Sequence, residues 1–136
     1  MNYWIFVHKA NNTFLQLKEK GNWGFKKRIN ELQKGDIVIF YVGGPNGKYL
    51  SGEATLTSNA HPPTREPVDG IKNNCMVDFD NLNSWNGQQI LVKDPCVRQK
   101  LGFIKNKDTR AWGQTFRRSL IKITESDYKD IKALLE

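Results

Sequence analysis

The sequence predicts an α+β fold: a small mixed β-sheet of five to six strands, curled into a barrel, flanked by helices and closed by a C-terminal helix. Three observations predict it. Aromatic and β-branched runs of strand length recur at residues 3–8, 35–44, 75–82 and 119–124. Turn-forming "GGPNG" joins two of the extended runs as a hairpin would. The clearest helical pattern comes last, so strands and helices do not alternate as in a βαβ array.

The elements follow in chain order. "YWIFVH" (3–8) has the composition of a strand buried on both faces, hence a central one, with Trp4 in the core. Residues 13–20 have the length of a short helix. "GDIVIFYVGG" (35–44) opens after a turn at Lys34–Asp36. "KYLSGEATLTS" alternates Leu50, Gly52, Ala54 and Leu56 against Tyr49, Ser51, Glu53, Thr55 and Thr57, so one face is expected in the core and the other in water. Residues 59–73 hold three prolines without periodicity and predict a long surface loop. "CMVDFDNL" and "SLIKIT" read as further strands, with Val77 and Phe79 on one face. Residues 94–101 read as a short helix with Pro95 in its first turn. In "TESDYKDIKALLE", Thr124 is the N-cap, Glu125 and Asp127 favour the first turn, and Tyr128, Ile131 and Leu134 have helical spacing.

A chain of 136 residues is long enough to bury about two-thirds of its unfolded surface without staples. One domain over residues 1–136 is expected, with no linker, repeat or low-complexity tract. "MNYWIFVHKANN" is too short and lacks the basic lead-in of a signal peptide, and no later run reaches the length of a membrane span. The expectation is a soluble, cytoplasmic protein with no membrane partner. Cys75 and Cys96 form no Cys-x-x-Cys pair, and buried free thiols are expected in place of a zinc site or disulfide.

The net charge of +7 is concentrated. Lys18, Lys20, Lys26, Lys27 and Arg28 face only Glu19 between residues 18 and 28, and nine basic residues face Asp94 and Asp108 between 93 and 122. Two basic blocks that converge in space make a footprint for a polyanion, most simply nucleic acid.

No catalytic constellation is legible. His8 lies inside the first strand and His61 in the proline-rich loop, with no Ser or Cys of a nucleophile motif near either. "GGPNGK" has the wrong spacing for a phosphate cradle and leads into a strand. Asp78 and Asp80 share a strand face at i, i+2 and read as solvated acids. A non-enzymatic binding module, without metal or cofactor, is the expectation. An enzyme acting on nucleic acid would have to use Asp78 and Asp80 as metal ligands.

Trp23, Trp85 and Trp112 each sit beside glycine or Asn-Gly ("NWGF", "SWNG", "AWGQ"), where a flat ring stands clear of the backbone. Such rings suit stacking on a base, a contact of ~1–3 kcal/mol. Trp23 is predicted on a loop, as a stacking ring with Lys26, Lys27 and Arg28 on the neighbouring phosphates. For Trp85 and Trp112 a lid over the barrel end is an equal alternative. Arg117 and Arg118 read either as further phosphate contacts or as partners of Asp127 and Glu125 at the helix start.

The order "NYWIFV", "GNWGF", "LQKGDIVIFYVGG", "YLSGEATLTS" and "WGQTFRRSLIKITESDYKDI" resembles the EVE domain, a PUA-like fold related to the YTH domains that read methylated adenine in RNA. The resemblance implies a pocket at one end of the barrel that takes one modified base flipped from its strand. It implies that Gly21, Asn22 and Trp23 supply one wall of an aromatic cage, and that Asn11 or Asn12 hydrogen-bonds the base. The loop that carries the second cage tryptophan in YTH relatives would follow "SGEATLTS"; residues 59–73 contain no tryptophan, and His61 is their ring. The candidate pocket is therefore Asn11, Asn12, Asn22, Trp23, Gly24, Tyr41, His61 and Trp112. The resemblance further implies modified cytosine in DNA or modified tRNA bases as ligands, and nuclease or RNA-modification partners. A small-molecule or protein-interaction module using the same pocket is the alternative, as is RNA binding without modification selectivity.

Overall fold

A computed structural model describes residues 1–8, 21–25, 31–43, 48–62, 75–85, 90–92, 94–104 and 120–135. The strands are β1 (Tyr3–His8), β2 (Asn22–Phe25), β3 (Ile37–Val42), β4 (Tyr49–Leu56), β5 (Cys75–Ser84), β6 (Ile90–Leu91) and β7 (Leu120–Ile123). Among the described residues two helices accompany them, α1 (Pro95–Arg98) and α2 (Glu125–Ala133). The sheet runs β2-β5-β4-β3-β1-β7, with β6 paired to β4. β1 and β3 are parallel and every other pair is antiparallel, so the sheet is mixed, and β1 lies inside it between β3 and β7.

The sheet has seven strands against the five to six expected, and the additional ones are β2 and β6. In Asn22-Trp23-Gly24-Phe25 the asparagine and glycine disfavour a strand, and charged residues lie on both sides in sequence. It is extended because β5 supplies its hydrogen-bonding partners, Asn22↔Asp78 through Phe25↔Cys75. Pairing overrides propensity where an edge is available. The predicted helix at 13–20 and most of the 59–73 loop lie outside the described residues.

Two apolar cores flank the sheet. One contains Ile5, Ile39, Tyr41, Trp85, Leu101 and Ile131; the other contains Trp4, Phe6, Trp23, Phe25, Phe40 and Phe79. In the second, the Phe6 ring meets Phe25 edge-on at 5.1 Å, which brings β1 and β2 together although they are not neighbours in the strand order, and so records the curl.

Two bulges produce that curl. Between β3 and β4 the register shifts at Phe40/Tyr41, so that Leu50 joins the core of Tyr41 while Ala54 and Leu56 join that of Phe40. The expected alternation, with all four even-numbered residues of β4 on one face, is thereby broken: an extra residue moves every later side chain to the other side. Tyr49 through Gly52 are all buried, and only Glu53 and Thr55 of the strand are half-buried. In β5, Asn81 adopts φ 56°, with Asp80 Oδ1 accepting its backbone N–H at 2.7 Å. Asparagine tolerates that left-handed conformation, and the strand bends there.

Both helices start as the sequence indicates. Asp94 caps α1 through Cys96 N, with Pro95 in the first turn. Thr124 and Asp127 form a reciprocal capping box on α2. Tyr128 donates its hydroxyl to Glu53 at 2.7 Å, and Lys132 pairs with the same carboxylate while standing 5.7 Å from the Trp85 ring centre. Glu53 thus fastens α2 to β4. Cys75 and Cys96 are not joined in a disulfide; Cys75 is buried as expected, whereas Cys96 is exposed on α1.

Candidate functional site

The Gly-Asp step before β3 is a structural hub. Gly35 sits at φ +94°, and the buried Asp36 carboxylate accepts from Asn2 N at 2.9 Å, Trp4 Nε1 at 2.9 Å and Gln33 N at 3.1 Å. One carboxylate therefore ties the start of the chain, the first strand and the turn together. Sequence reasoning placed a turn there but missed this role.

The Gly-x-Trp step lies at a margin of the sheet, on the end strand β2. Gly21 takes φ +65°, and its carbonyl accepts Phe79 N at 3.0 Å. A side chain there would meet both the left-handed strain and the Phe79 carbonyl, 3.3 Å from the added carbon. Trp23 is thereby delivered onto a strand and not, as the sequence predicted, onto a loop. It retains 6 % of its surface and packs with Val77 and Phe79, so the expectation of a ring standing clear of the backbone is corrected. Apolar cross-strand partners on β5 draw the indole inward.

Side chains alternate along a strand, and directly paired residues share a face. Trp23 and Val77 therefore lie on one face, and Asn22, Gly24, Met76 and Asp78 on the other. His61 joins the latter set: it bridges Met76, with N–H to carbonyl bonds of 2.9 and 2.8 Å in the two directions. Its Nε2 is 2.9 Å from Asp78 Oδ2, and its Nδ1 is 2.7 Å from the Pro62 carbonyl. The ring of His61 is accordingly not the second wall of a cage around Trp23. The structure assembles Asn22, Gly24 and His61 around Asp78 and separates them from the Trp23 ring.

Tyr41 is likewise separated. It packs in the core opposite to that of Trp23, and burial pushes its phenol up to about 12. Trp85 fills that same core, 3 % exposed, as a lid would. Asn11, Asn12 and Trp112 lie outside the described residues, as do Lys26, Lys27, Arg28, Arg117 and Arg118. Among the described residues no group of three or more His, Cys, Asp or Glu is placed to hold a metal ion. Asp78 bonds instead to His61 and, through its N–H, to Ser58 Oγ at 3.0 Å.

A curled mixed sheet forming a half-barrel, with a capped C-terminal helix fastened across it, is the PUA-like arrangement, and the protein is of that class. The chain belongs to the EVE domain family, whose profile matches residues 2–134. Its fold is similar to that of human THYN1, solved in complex with DNA containing 5-methylcytosine, at a TM-score of 0.70 and 14% identity, covering 100% of this chain and 98% of that one. Protein Atu2648 from Agrobacterium tumefaciens is similar at a TM-score of 0.65 and 16% identity, over 98% of this chain and 93% of that one. The Mmi1 YTH domain, solved in complex with RNA, is similar at a TM-score of 0.60 and 11% identity, over 98% of this chain and 77% of that one. Comparison with curated proteins gives no match.

Proposed function

We propose that this protein is a non-enzymatic nucleic-acid-binding module that takes one modified base, turned out of its strand, at the β2 end of the sheet. The observation that carries the proposal is the Gly21–Trp23 step: a left-handed glycine sets an indole on the end strand of a sheet whose EVE match spans residues 2–134. The complexes of THYN1 with methylated DNA and of Mmi1 with RNA support the reading at the level of shared fold. The net charge of +7 supports it through the phosphates, and Lys26, Lys27 and Arg28 directly follow β2 in the chain.

Turning out a base costs a few kcal/mol, least from a single strand, and contact with an aromatic wall offsets that cost. Trp23 exposes only 6 % of its surface, so the indole offers little area to a base. A methyl group adds apolar contact at ~25 cal/mol per Å2, so one methyl changes affinity by about tenfold or less. Modest selectivity follows.

The test is fluorescence anisotropy with short single- and double-stranded DNA and RNA carrying 5-methylcytosine, 5-hydroxymethylcytosine, N6-methyladenine or no modification, at two salt concentrations. Trp23→Ala would remove a buried indole at about 3–5 kcal/mol and endanger the fold, so Trp23→Phe is the informative variant. Preference for one modified strand that Trp23→Phe reduces supports the proposal. Equal binding of all strands, governed by salt alone, overturns it and leaves a basic surface without base recognition.

A further inference from the structure

We propose that His61 is a positioning residue for the Trp23 site: its imidazole, bridging Asp78 and the Pro62 carbonyl, holds from the far edge the stretch of β5 against which β2 is registered, and touches no ligand itself. The inference rests on the base-binding reading above.

β5 outruns β4. Its residues from Phe79 to Ser84 pair with β4, whereas Cys75 to Asp78 pair with β2. Along that last stretch the edge away from β2 is occupied by the chain that continues β4. Thr57 N donates to the Asp78 carbonyl at 2.9 Å, Asp78 N donates to Ser58 Oγ at 3.0 Å, and His61 and Met76 exchange two backbone bonds. A two-stranded ribbon alone is marginal in water, and a third lane makes it a sheet. This third lane is short; the Ser58 hydroxyl fastens its start and the His61 ring its end.

The chemistry of that fastening is specific. Both ring nitrogens face acceptors, the Asp78 carboxylate and the Pro62 carbonyl, so a donor on either one fastens the ring within the lane. The contact with Asp78 is to a carboxylate, an acceptor of the stronger kind. The residues it secures are those that register β2: Asp78 pairs with Asn22 and Met76 with Gly24, on either side of Trp23. A shift of the third lane is passed through two residues of β5 to both neighbours of the indole. His61 and Trp23 lie on opposite faces of this ribbon, so the influence travels through the backbone and not by ring contact.

The experiment compares the wild type with His61→Ala, His61→Gln and Trp23→Phe, using short oligonucleotides with and without 5-methylcytosine and the other modifications above. NMR follows the Trp23 indole N–H in the free proteins. In His61→Ala the ratio of affinities for the preferred modified strand and its unmodified counterpart is expected to fall about fivefold, on the order of one hydrogen bond's net contribution. Affinity for the unmodified strand is expected to stay, the Trp23 indole resonance to move, and His61→Gln, which keeps a donor, to recover part of the ratio. A merely structural role would lower all affinities with the melting temperature and leave the ratio alone. If His61→Ala does not fold, His61→Gln carries the comparison, with an intermediate ratio expected. A ratio that falls in Trp23→Phe but is unchanged in the His61 variants, with the indole resonance unmoved, overturns the positioning role and leaves the base-binding reading standing. Absence of any preference in the wild type overturns both.

Discussion

Trp4 and Trp23 carry the same indole, and their neighbours in the fold settle how each is used. Trp4 gives its Nε1–H to Asp36 and its ring to the core, with Lys122 Nζ 5.6 Å from the ring centre. Trp23 closes the same core from the end strand. The glycines near Trp23 suggest exposure from sequence; in the fold Gly21 turns the chain into β2 and Gly24 pairs with Met76 of β5. At this scale Asp36 makes the sharpest prediction. Asp36→Ala strands three donors that now share one carboxylate, at roughly 1 kcal/mol each, so a loss of about 3 kcal/mol is expected. Asp36→Asn retains an acceptor and is expected to lose less. Urea unfolding checks both, with the midpoint falling at unchanged slope.

Among the elements, those with strong local signals formed where the sequence placed them. The capping box of Thr124 and Asp127 starts α2, and Asp94-Pro95 starts α1. β1 and β3 are apolar along their length and take interior positions. What was not legible is β2, whose strand state depends on β5, and the phase of β4, which the bulge reverses between Leu50 and Ala54. Neither feature has a local cause, because a register shift is set by the partner strand. Gly21 is where β2 is aimed, and Gly21→Ala is expected to cost about 1–2 kcal/mol through its left-handed backbone. The variant is also expected to displace the Trp23 indole resonance, since the added carbon meets the Phe79 carbonyl. A melting curve and an NMR spectrum of the same sample check the two effects.

Across the whole molecule, three phenols, Tyr41 and Tyr49 buried and Tyr128 half-buried, are set apart by their surroundings. Burial raises Tyr41 to about 12 and raises Tyr49. Tyr128 is raised first by burial, then by its hydrogen bond to Glu53 and the charges of Glu53 and Tyr3. Each phenol stays protonated in the fold above the ordinary value of about 10, so above that value the unfolded chain binds fewer protons and stability falls with pH. The Tyr41 contribution is complete below about pH 10 and is expected to disappear as pH climbs through about 12. Tyr41→Phe is expected to flatten that decline in a series of alkaline melting curves. The sequence by itself determined the class of fold, the interior strands, both helix starts and the basic character, because hydrophobic period, capping chemistry and charge are local properties. Only the tertiary structure decided that His61 turns away from Trp23 to bond Asp78, that Tyr41 and Trp23 occupy different cores, and that Asp36 is a hub. Those outcomes depend on which strands meet and in what register, and pairing across 17 to 32 residues leaves no mark in either segment alone.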